Sequence, residues 1–145
     1  CTARRRHTRC ALVSWAREYD HETFNRVTRW PPAGLKYEAD PRHAEILVLG
    51  VAGAERALSA PGTHSKDFED PSAPELPEPI ARLFRSFAAR ANYLAMDRPD
   101  LAQATKELCR RMSAPRAADL RALSRVARYL VGAPRVVYEL ALTHL

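Results

Sequence analysis

Residues 79–132 constrain the chain most, because apolar side chains recur there at helical spacing in three successive runs, with proline between them. In the first run Ile80, Leu83, Phe84, Phe87, Ala91 and Leu94 share a stripe, and Arg82, Arg85 and Arg90 lie off it. "MDRPD" breaks the pattern. Asp97 is expected to cap the next helix, and Asp100 to sit in its first turn, where a negative charge meets the helix dipole favourably. That second helix carries Leu101, Ala104, Thr105, Leu108, Cys109 and Met112 on one stripe, and "SAP" stops it at Pro115. The third runs from about Ala117 to Val131, with Leu120, Leu123, Ala127 and Leu130 inward and Gly132 as its stop. Three such helices with short connections are expected to pack as an antiparallel unit over 79–132.

Upstream the period changes. "FNRVTRWPPAGLKYEA", residues 24–39, reads as a β-hairpin: Leu35, Tyr37 and Ala39 alternate with Lys36 and Glu38. "PPAG" makes the turn, with Gly34 expected at positive φ, and Trp30 closes the first strand. A helix then opens at Asp40 and Pro41, buries Ala44, Leu47 and Val51, and ends at Gly50 or Gly53. Residues 54–78 are proline-dense and acidic, a linker expected to wrap the surface or to move. Residues 1–23 show no periodicity and are expected to be disordered. Downstream, "RVVYELAL" in 133–145 reads as a strand with Val136, Tyr138, Leu140 and Leu142 on one face. The fold class is therefore α+β: an N-terminal hairpin plus helix over 24–53, a linker, a three-helix unit and a C-terminal strand.

Little catalytic chemistry is visible. Cys1, His7 and Cys10 match no common zinc spacing, and no second ligand pair follows. Cys109, on an apolar stripe, reads as a small core residue, and His43, in a first helical turn, as a surface or capping residue. Asp97 and Asp100 are the one tempting carboxylate pair, and their place at a helix start accounts for them structurally. No phosphate-cradling glycine loop is present. No cofactor, metal, small-molecule substrate or catalytic residue is expected, and no apolar run approaches the roughly 20 residues of a membrane span. Three scattered cysteines do not make a disulfide framework.

Charge is more informative. The formal net charge is +6, and of 23 basic residues only Lys36, Lys66 and Lys106 are lysine. Guanidinium forks suit phosphate, so nucleic acid is a candidate partner. Arg110 and Arg111 end the second helix, and Arg121, Arg125 and Arg128 share one face of the third. These five are the candidate nucleic-acid contacts, against the plainer reading of a solvated outer face.

Taken together, "ARANYLAMDRPDLAQATKELCRRMSAP" and "LRALSRVARYLVGAPRVVYEL" resemble the reverse-transcriptase region of Ty1/copia-type retrotransposon polyproteins. The first signature lies at Phe84-Arg85-Ser86-Phe87, Tyr93-Leu94-Ala95, Arg98-Pro99-Asp100-Leu101 and Leu108 to Met112, and the second at Leu123 to Gly132. "NRVTRWPPAGLKYEADPRHAEIL" looks like the family's hairpin and helix past the polymerase palm, and "ALSAPG" like the short link after it. Gln103 and Val131 depart from the family pattern. The resemblance covers about residues 24–142. It implies a truncated thumb and connection segment that leads into ribonuclease H and lacks the catalytic aspartates of both activities. It further implies an intracellular partner set of template–primer duplex and the rest of the polyprotein. A helical protein-interaction module and a small basic DNA- or RNA-binding protein are the alternatives.

Overall fold

The structure, a computed structural model, describes residues 21–23, 26–31, 34–62 and 73–141. The α+β class holds, and the chain divides into two units: a sheet built from residues before Pro41 and after Arg135, and a helical unit, Pro41–Arg135. The sequence reading joined hairpin and first helix as one segment, 24–53; the structure parts them between Asp40 and Pro41.

The sheet unit has four antiparallel strands in the order β1-β2-β3-β4. They are β1 (His21–Thr23), β2 (Arg26–Arg29), β3 (Gly34–Ala39) and β4 (Val137–Ala141). The expected hairpin is β2–β3, with Thr28 opposite Tyr37 and Arg26 opposite Ala39. β1 corrects the expectation of disorder through residue 23, because Glu22 pairs with Val27 and extends the hairpin. The remainder of that expectation, residues 1–20, lies outside the described residues.

β4 joins the free side of β3, with Tyr37 opposite Tyr138 and Leu35 opposite Leu140. The two tyrosine rings meet at 6.4 Å between centroids, and Lys36 forms an ion pair with Glu139 on the other face. Gly34 is needed for a reason other than the one its turn position implied. Its φ is not positive; a Cβ there would run into the Leu140 carbonyl oxygen of β4.

The helical unit contains α1 (Pro41–Gly50), α2 (Glu78–Ala95), α3 (Pro99–Arg110) and α4 (Ala117–Gly132). Ala44 and Leu47 of α1 and Val51 just past its end are buried as the spacing predicts, and Gly53 beyond them takes φ +80°. In α3 the buried residues are Leu101, Thr105 and Leu108; in α4 they include Leu123, Val126, Ala127 and Leu130.

In α2 the helical period was right and the stripe was right in part: Phe84, Ala91 and Leu94 are buried as expected. Ala81, Phe84, Ala88, Ala91 and Leu94 are buried, whereas Ile80 is 41% and Leu83 58% exposed. The alanines make a narrow stripe along which other helices approach closely, and the larger side chains beside it stay outside. Phe87 is half-buried and lies over Gly50, where a Cβ would come within 2.6 Å of its ring.

Helix starts are set by proline: Pro41, Pro79 and Pro99 each fall in a first turn. The expected Asp97 cap is corrected, since the capping position of α3 belongs to Arg98, which makes no side-chain capping bond. α4 starts differently: the Arg116 backbone N–H donates to Asp119, a buried first-turn carboxylate, at 2.7 Å.

The described parts of the linker are tied down. Leu58 N–H donates to the Arg128 carbonyl, and Leu76 N–H to the Pro115 carbonyl. Residues 56–58 thus lie along the C-terminal part of α4, and residues 75–76 at its start. The middle of the linker, 63–72, lies outside the described residues.

Candidate nucleic-acid interface

The recognisable "RPD" stretch forms a structural junction. Arg98 is 1% exposed, yet all three of its guanidinium nitrogens have partners. Nε and Nη2 donate to the Asp100 carboxylate, the closest contact being 2.6 Å. Nη2 also donates to the Ala133 carbonyl at 3.0 Å, and Nη1 to Pro134 at 3.4 Å, so the guanidinium satisfies carbonyls just past the end of α4. Tyr129 completes the junction by donating its hydroxyl to Asp100 at 2.8 Å.

The electrostatics follow from these contacts. Burial alone would raise the Asp100 pKa, but the hydrogen bonds from Arg98 and Tyr129 outweigh it and hold the carboxyl below its ordinary value. Burial and the bond to Asp100 both push the Tyr129 hydroxyl up. Asp100 therefore orders the ends of two helices, and its two oxygens are already in use.

The five predicted arginines differ in exposure and in what they already contact. Arg110 is 69% exposed in its side chain and makes a long 3.4 Å pair with Glu107, one turn earlier on α3. Arg111 follows at the C-cap and is exposed. On α4, Arg121 is exposed, but Arg125 is half-buried with an Nε that is buried and unpartnered. Arg128 donates Nε to the Arg56 carbonyl at 2.8 Å. The expected α4 stripe is thus partly spent at its C-terminal end on holding residues 56–58.

The sequence reading passed over Lys106. It lines an open groove of about 500 Å³ together with Asn92, Ala95, Met96, Ala102, Cys109 and Arg110. The groove runs between the C-terminal end of α2 and the face of α3. Lys106 and Arg110 are spaced i, i+4, the signal that could have found them. Cys109 is half-buried there rather than in the core, and burial pushes its thiol pKa up. Elsewhere Arg90 approaches His43 at 3.5 Å, and the His43 ring lies 4.7 Å from that of Tyr93, so His43 bridges α1 and α2.

Among the described residues, no group of three or more His, Cys, Asp or Glu side chains could hold a metal ion. No helix among them is long and apolar enough to cross a membrane. The chain matches no known protein family, no curated protein and no solved structure.

Proposed function

We propose that this chain is the post-palm, thumb and connection segment of a Ty1/copia-type reverse transcriptase, a piece that grips template–primer nucleic acid without performing chemistry itself. The observation that carries the reading is the use made of the "RPD" stretch. The most family-like residues, Arg98 and Asp100, are committed to a buried junction between helix ends. A motif with that job belongs to a scaffold, and exposed arginines on a scaffold suit sequence-independent contacts to phosphates.

The test uses the whole chain, a labelled RNA–DNA hybrid, magnesium and nucleotides. The reading predicts retention of the hybrid at low salt, with no primer extension and no RNA cleavage. Extension or cleavage above a buffer control would contradict it.

A second reading is supported by exposed apolar side chains. Leu49 is 86% exposed on α1, and Ile80 and Leu83 are exposed on α2. Such residues suit a surface covered by another protein, including the rest of a polyprotein. A stoichiometric complex that survives high salt would favour that reading over nucleic-acid binding.

A further inference from the structure

α3 and α4 both carry cations, but they differ in what those cations are already doing. On α4, Arg128 holds the Arg56 carbonyl, and Arg125 is half-buried. Only Arg121 of that stripe is exposed. On α3, Lys106 and Arg111 are exposed and make no ion pair among the described residues, and the Arg110 pair to Glu107 is long and solvated. A pair of that kind is worth little, so a phosphate can compete for the guanidinium.

The groove beneath these cations adds shape. Among the described residues, no acidic side chain lines it. Asn92 supplies amide donors from α2, Lys106 and Arg110 supply cations from α3, and Ala95, Met96, Ala102 and Cys109 complete the lining. It is an open trough, unlike the enclosed cavity that a small molecule needs for burial. Cations and an amide along an open trough fit a linear polyanion.

We infer that the α2–α3 groove, with Lys106 and Arg110 at its wall, is where the phosphodiester backbone of a nucleic acid rests, and that the α4 arginine face is secondary. This inference rests on the nucleic-acid reading above and assigns it a location. Lys106 supplies a point charge, Arg110 a two-pronged donor once it exchanges Glu107 for phosphate, and Asn92 a neutral donor from α2. None of these contacts reads a base, so binding is independent of sequence.

The experiment compares two double variants that lose the same charge. Lys106→Ala with Arg110→Ala strips the groove; Arg56→Ala with Arg82→Ala removes two exposed cations elsewhere. All four side chains are exposed, and thermal melts check that each variant folds. Binding to a labelled RNA–DNA hybrid is read by fluorescence anisotropy across a salt series.

The groove variant is expected to bind about 10-fold more weakly, with a salt dependence shallower by about one to two phosphate contacts, and the control to stay within about twofold of the unaltered chain. Equal losses in the two variants, or a larger loss in the control, would overturn the groove. No binding by the unaltered chain at low salt would remove the nucleic-acid reading itself, and the groove with it.

Discussion

Arg98 is a charged side chain placed where water cannot reach it, and it is tolerable only because every guanidinium nitrogen finds an acceptor. Replacing it by alanine leaves Asp100 without its counter-charge and the Ala133 and Pro134 carbonyls without their donor. Arg98→Ala is expected to cost about 3 kcal/mol in urea unfolding; a loss under about 1 kcal/mol would mean that the junction is not a keystone of the helical unit. The pH dependence follows from Asp100. Its carboxyl pKa is lowered in the folded chain, so its contribution is fully present above the ordinary carboxylate range and is lost as pH falls through the lower folded value. Below about pH 4 the unaltered chain should therefore lose stability more steeply than Asp100→Asn, which has no such proton to take up. Part of this site was legible: proline at a helix start and aspartate in the first turn are local signals. The carbonyls Arg98 reaches lie 35 and 36 residues downstream, and no local pattern announces such a contact.

At the scale of elements, all three C-terminal helices and the hairpin were readable, because period and punctuation are local properties of sequence. The buried stripe of α2 was readable only in part, since apolar residues cover a broader arc than its neighbours bury. Phe84→Ala is expected to destabilise by about 3–5 kcal/mol, and Leu83→Glu, one residue away, to change stability by about 0.5 kcal/mol or less. Matching thermal melts would check the pair; similar losses would return Leu83 to the core. The pairing of β3 with β4 was hidden, because it joins residues about a hundred positions apart. Its sequence trace is Gly34, which looked like a turn glycine and serves a close strand approach instead. Gly34→Ala should cost about 1–3 kcal/mol through overpacking against the Leu140 carbonyl, and amide exchange in β4 should quicken.

For the molecule as a whole, the excess of arginine over lysine and a net charge of +6 are what a polyanion partner, as proposed, would need. The charge was legible from composition, but its distribution was not. Helical spacing put Arg121, Arg125 and Arg128 on one face, and the backbone of the linker, invisible to that spacing, takes up part of it. Lys106, one cation among many in the sequence, gains meaning from Asn92 and Met96 in the groove. Scaffold and grip, without chemistry, is the account that joins the Arg98 junction to the exposed cations of α3. Its most direct test is the affinity of the intact chain for a labelled RNA–DNA hybrid as salt is raised. A linear fall of log affinity against log salt, with a slope of about −2 to −4 that is the same for an unrelated hybrid sequence, is predicted. Absence of binding at low salt, or binding that salt leaves unchanged, would contradict it.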